Sequence, residues 1–90
     1  MQVALEYERR PKTAKQYARI RETIEAERLV ERFLYLFPNY HLLLLVSRFL
    51  AGSTRRIYFG LLDDLKGQAL ATRVLDSSGV RSFELREALT

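Results

Sequence analysis

The sequence predicts a mainly α-helical domain that ends in a small β-hairpin. Residues 13–37 contain neither proline nor glycine, which favours one long helix. An apolar run follows at 42–46, and two short apolar segments flank a polar turn at 76–79. The chain of 90 residues is expected to form a single domain, residues 1–90.

Residues 1–12 are predicted to form an N-terminal strand or arm. Val3, Leu5 and Tyr7 alternate with polar residues at a period of two, which suits a short strand, although the segment also contains good helix formers. Pro11 then interrupts the element among Arg9, Arg10 and Lys12. This basic cluster is either an arm that reaches DNA or a solvated loop.

Residues 13–37 are predicted to form the long helix. Thr13 and Gln16 have the spacing of a capping box, and Tyr17, Ile20 and Ile24 form an apolar stripe at helical spacing. The helix is longer than a compact domain of this size needs. We therefore expect part of it to pack against a second copy of the chain.

A second helix is expected at about 40–51, capped by Asn39 and ended by Gly52. Five consecutive apolar residues at 42–46 cover every side of a helix, so this one is predicted to be buried nearly all round. A third helix is expected to begin at Ser53 or Thr54 and run to Leu65. The short turn between the two helices is typical of a helix-turn-helix.

The hairpin is predicted from residues 70–75 and 80–85. Together with the third helix it resembles the winged helix-turn-helix transcription regulators, the broad MarR-like and PadR-like group, of the type found in archaea and their viruses. Tyr58, Leu62 and Leu65 of the third helix, Ala69-Leu70, and the hairpin ending at 83–88 carry this resemblance, which covers residues 39–88.

The resemblance implies double-stranded DNA as the partner, with the third helix in the major groove and the hairpin beside it. Arg55 and Arg56 are then candidates for phosphate or guanine contact, although a solvated helix start also explains them. Phe59 is either a contact to a thymine methyl group or peripheral core, and Gly60 indicates close approach to the backbone. Arg73 and Arg81 flank the hairpin tip and either straddle a groove or are scattered surface charges. The predicted DNA-binding residues are Ser53, Thr54, Arg55, Arg56, Phe59, Gly60, Arg73 and Arg81.

The composition excludes several other functions. The net charge of +4 favours an anionic partner, and the lack of cysteine excludes disulfides and thiolate metal sites. With His41 as the single histidine and no glycine-rich phosphate loop, we expect no catalytic site, metal, cofactor or small-molecule ligand. Twelve of the 15 cationic residues are arginine and Asn39 is the only asparagine, which indicates either a thermophilic source or a genomic base composition that enriches arginine. Neither a signal peptide nor a membrane-spanning run is recognisable, so a cytoplasmic protein without a membrane partner is expected.

Taken together, these observations predict a homodimeric, sequence-specific DNA-binding protein that regulates transcription. Two recognition helices would enter successive major grooves about 34 Å apart. The alternative is a winged-helix protein–protein interaction module, a subunit or adaptor that does not bind DNA.

Overall fold

The structure, a computed structural model that describes residues 2–78 and 81–90, has a mixed β-sheet with helices on both faces. The sheet has five strands in sequential order: β1 (Val3–Tyr7), β2 (Arg32–Phe37), β3 (Arg56–Leu61), β4 (Arg73–Asp76) and β5 (Ser82–Glu84). The helices are α1 (Ala14–Ala26), α2 (Tyr40–Leu50), α3 (Leu62–Gln68) and α4 (Leu85–Ala88), and a 3₁₀ turn spans Ala69–Ala71. The prediction of a mainly α-helical winged helix is therefore wrong.

The first three strands are parallel, and α1 and α2 connect them. The last three strands are antiparallel neighbours, with Phe59 opposite Leu75 and Val74 opposite Phe83. Both crossover helices lie on one face of the sheet, where Tyr17 and Leu43 pack against Phe33 and the other odd-numbered residues of β2.

A second, smaller core occupies the opposite face. Leu34 and Leu36 of β2 meet Val74 and Leu85 there, with α3 and α4 as the cover. All six residues of β2 are buried because the strand has packed side chains on both of its faces. Such strands contain near-continuous apolar runs rather than alternating patterns.

The predicted long helix ends at Ala26, because residues 27–31 turn the chain back into the sheet. The Glu27 carboxylate accepts hydrogen bonds from the backbone N–H of Leu29 at 2.7 Å and of Val30 at 3.4 Å. These bonds lower the pKa of Glu27. Residues 32–37 then form β2, so the second half of the predicted helix is wrong.

The predicted third helix is also wrong. Residues 56–61 form β3, which lies between β2 and β4, and α3 begins only at Leu62. Ile57 and Phe59 are buried in the sheet, so this segment is not an exposed recognition helix.

Several local predictions are confirmed. β1 and α2 form nearly where expected, and the side chain of Asn39 accepts a hydrogen bond from the backbone N–H of Leu42 at 2.9 Å. The hairpin also forms, as β4 and β5, although Gly79 and Val80 of its predicted tip and second strand lie outside the described residues. The prediction that α2 is buried nearly all round is wrong, since Tyr40 is 56% and Leu45 37% exposed.

Within residues 2–78 and 81–90, no helix combines the length and the apolar character that crossing a bilayer requires.

Candidate nucleic-acid interface

The eight residues predicted to bind DNA do not form one surface. Ser53 and Thr54 lie in the loop before β3, where their hydroxyls donate to the Glu25 carboxylate of α1. These hydrogen bonds, that of Ser53 above all, lower the pKa of Glu25. Both hydroxyls therefore tie the loop to the end of α1.

Arg55 contacts the carboxyl end of α1. Its guanidinium donates to the carbonyl oxygens of Ile24 at 3.1 Å, of Val30 at 2.5 Å and of Glu27, and it lies 5.5 Å from the centre of the Phe33 ring. Ile24 lies in the last turn of α1, where a cation complements the helix dipole, and Glu27 and Val30 belong to the turn that follows the helix. The structure gives Arg55 a stabilising contact within the fold.

Phe59 and Gly60 are interior residues of β3. Phe59 is 0% exposed and packs near Tyr35 and Phe37, so its ring is core. A Cβ atom added to Gly60 would lie 3.1 Å from Val74 Cγ1, a tight contact. The close approach inferred from Gly60 is therefore that of a neighbouring strand.

The remaining arginines point to different faces of the sheet. Arg73 donates to Ser82 Oγ at 2.8 Å on the face that α1 and α2 cover. Arg56 alternates with buried Ile57 and so lies on the other face, while Arg81 lies 5.2 Å from the centre of the Phe83 ring, part of the second core. The sheet therefore separates Arg73 from Arg56 and Arg81.

A different set of cations does cluster, in the segment that leaves β1 and enters α1. Residues 9–21 contain six Lys or Arg residues and no Asp or Glu. Arg9, Arg10, Lys15 and Arg19 are exposed, and within the described residues none of them forms an ion pair. Lys15 and Arg19 lie one turn apart on the same side of α1.

The loop that carries Arg9 and Arg10 is held at both ends. Glu8 donates its backbone N–H to the carbonyl of Leu36 at 2.9 Å and its carboxylate pairs with Lys12. The backbone N–H of Lys12 donates to the Tyr17 hydroxyl at 3.0 Å, and Thr13 forms the predicted capping box. The cations are therefore displayed from a fixed backbone, which lowers the entropy lost when a ligand binds.

A cleft of about 490 Å³ extends this surface towards α2. Arg9 and Arg48 contribute cations to its wall, His41 lies beside them, and Leu42, Leu44 and Leu45 form an apolar part of the lining. The cleft lies outside the carboxyl ends of β1 and β2, where parallel sheets commonly bind ligands. The N-termini of α1 and α2 lie at this edge and have no acidic residue in their first turns, so their dipoles add positive potential.

We call Arg9, Arg10, Lys15, Arg19 and Arg48 the basic surface. It stops before the carboxyl end of β3, because Asp63 and Asp64 occupy the first turn of α3. Beside it, Glu6 and Glu8 face Tyr35, and burial followed by these two carboxylates raises the pKa of the Tyr35 hydroxyl to about 12. Within the part of the chain that the structure describes, no three His, Cys, Asp or Glu side chains approach closely enough to hold a metal ion.

Sequence reasoning identified Arg9 and Arg10 as one of two basic clusters but did not include Lys15, Arg19 or Arg48. The absence of acidic residues from 9 to 21 could have identified Lys15 and Arg19. No such signal existed for Arg48, because only the packing of α2 beside the β1–α1 loop brings it next to Arg9.

The fold thus defines a small α/β domain with a basic edge. Comparison with known proteins finds no family model, no curated protein and no solved structure that matches the chain. The basic surface itself is therefore the basis for assigning a function.

Proposed function

We propose that the protein binds nucleic acid through the basic surface, mainly by contact with backbone phosphates. The observation that supports this best is the run 9–21, which contains six cations and no acidic residue. Lys12 and Arg21 have partners within the fold, and the other four cations are displayed on a fixed loop and the first turns of a helix. Lys and Arg clustered on one face form the electrostatic footprint of nucleic-acid binding.

The geometry favours phosphate contact over base readout. The cations project from a loop and the first turns of a helix, and a wide, open surface suits an extended polyanion. Arg side chains and helix N-termini both bind phosphate oxygens in this way. Sequence preference would then come from the apolar lining of the cleft at Leu45 and from His41, which can stack on an unpaired base.

The experiment measures fluorescence anisotropy of labelled duplex and single-stranded oligonucleotides at several salt concentrations. Each phosphate contact contributes about 0.9 to the slope of log K against log salt on duplex DNA. A triple variant, Arg9→Ser, Arg10→Ser and Arg19→Ser, is therefore expected to reduce that slope by about 2.7.

The matched control is Arg56→Ser, Arg73→Ser and Arg81→Ser, which removes the same number of positive charges from other surfaces. We expect it to leave the slope within about 0.9 of the wild type. If the control lost the slope and the first variant kept it, binding would use the residues predicted from the sequence. If the wild type bound neither oligonucleotide at low salt, the proposal would be wrong.

A further inference from the structure

Within residues 2–78 and 81–90, no strand pairs with the outer edge of β1, and the side chains along this edge are apolar on one face of the sheet. Val3 is 39% exposed, Leu5 63% and Tyr7 44%, and all three project from the same side of the sheet. They lie beside the second core but beyond its cover, since α4 packs over Leu34 and Leu36 of the neighbouring strand.

The backbone of the same three residues also points outwards. Gln2 accepts a hydrogen bond from Arg32 of β2, and Glu8 donates one to Leu36. Because alternate residues of a strand direct their polar groups to the same side, Val3, Leu5 and Tyr7 direct theirs away from the sheet. An edge of this kind is a ready template for another strand.

We propose that this edge pairs with β1 of a second copy of the chain, antiparallel and centred on Leu5. This register places Leu5 opposite Leu5 and Val3 opposite Tyr7, so that three outward-facing pairs each exchange two backbone hydrogen bonds. Val3, Leu5 and Tyr7 of both copies then form one apolar stripe across the two strands, where neighbouring side chains cover one another.

The charges of β1 select this register. On the α1 side, a pairing centred on Leu5 sets Glu6 opposite Ala4 and Glu8 opposite the neutral Gln2. A pairing centred on Glu6 would set two Glu6 carboxylates directly opposite, which is unfavourable. A pairing centred on Ala4 joins only Val3 with Leu5 and leaves Tyr7 beyond the paired strand.

The pairing has a consequence for the basic surface. A two-fold axis through paired edge strands is perpendicular to the sheet, so α1 of both copies lies on the same face of a continuous ten-stranded sheet. The two basic surfaces would then lie on the same face of the dimer but towards its opposite ends, because the carboxyl ends of the two antiparallel β1 strands point in opposite directions. The dimer itself does not depend on nucleic-acid binding.

The first test is the mass of the protein in solution by sedimentation velocity and light scattering. We expect a dimer for the wild type, and at least a tenfold weaker dimer for Leu5→Lys, in which two cations would face each other across the axis. Leu29→Lys is the matched control, because Leu29 is 74% exposed and lies in the turn between α1 and β2. It should remain as dimeric as the wild type.

A second test uses the absence of native cysteine. Leu5→Cys is expected to form a disulfide-linked dimer under mild oxidation, because directly opposite Cα atoms in a hydrogen-bonded pair are about 5.5 Å apart. Val3→Cys alone and Tyr7→Cys alone should not link, whereas a mixture of the two should give the mixed dimer.

A monomeric wild type would overturn the proposal, as would a Leu5→Lys variant that dimerises as well as the wild type. Efficient linking of Val3→Cys to itself would also overturn it, because that result requires another register or another occupant of the edge. Circular dichroism of Leu5→Lys checks that loss of the dimer is not loss of the fold. If the variant is unfolded, the cysteine experiment alone decides the question.

Discussion

Replacing Arg55 by Ala separates a role in the fold from a role in binding. Arg55 donates to three backbone carbonyls, one in the last turn of α1 and two in the turn that follows it, and its guanidinium lies over the Phe33 ring. Hydrogen bonds that involve a charged group are worth about 1.5–3 kcal/mol each, but in the variant water can reach some of these carbonyls. We therefore expect a loss of about 2–4 kcal/mol, against a total of about 5–13 kcal/mol for a domain of this size.

Urea unfolding followed by far-UV circular dichroism measures this loss. With a denaturant slope of about 1.5 kcal/mol/M, the midpoint should fall by about 1.3–2.7 M. Arg55→Lys keeps the charge but not the planar donor fork, so its midpoint should lie between those of the wild type and the alanine variant.

Arg56→Ala is the control for the same experiment, because Arg56 is exposed at the start of β3. Its midpoint should change by less than about 0.3 M, because most surface substitutions change stability by less than about 0.5 kcal/mol. If Arg55→Ala left the midpoint unchanged and instead weakened nucleic-acid binding, the structural role assigned to Arg55 would be refuted.

Two further predictions concern the sheet. Gly60→Val should destabilise the protein by about 1–3 kcal/mol through overpacking, because Val74 and Leu36 already fill the space where its side chain would lie; an unchanged urea midpoint would contradict this. For Tyr35, the pKa is about 12 in the folded protein and near 10 when unfolded, so the unfolded state loses its proton first as the pH rises. Stability should therefore fall between about pH 10 and 12, by at most about 2.7 kcal/mol from this group, and Tyr35→Phe should show a shallower loss in alkaline unfolding.

The sequence predicted elements whose signals are local. The alternation in β1, the capping residues Thr13 and Asn39, and the polar turn of the hairpin each depend on a few adjacent residues. Such elements can be predicted without knowing how the rest of the chain folds.

Strands β2 and β3 were missed because their signals depend on tertiary contacts. In β2 the apolar run is continuous, and periodicity alone cannot distinguish a strand buried on both faces from a buried helix. The turn before it contains neither proline nor glycine and is held by the Glu27 side chain. In β3, Gly60 was a signal against the predicted helix, since a glycine is costly in mid-helix but fits beside Val74 in a strand.

The basic surface, like the fold, was predictable only where its residues are adjacent in sequence. The cations of residues 9–21 are close together in sequence. In contrast, Arg9 and Arg48 line the same cleft only because of the way α2 packs. The arginines at 55, 56, 73 and 81 were assigned to one surface only because a helix had been assumed, and in a strand alternate residues point to opposite faces.

The position of β2 between two cores also determines how the protein unfolds. Its odd-numbered residues belong to the core under α1 and α2, and its even-numbered residues belong to the core under α3 and α4. Neither half can open without exposing side chains on which the other half packs. The two layers should therefore unfold as one cooperative unit, and the amides of β2 should exchange with solvent only when the whole domain unfolds.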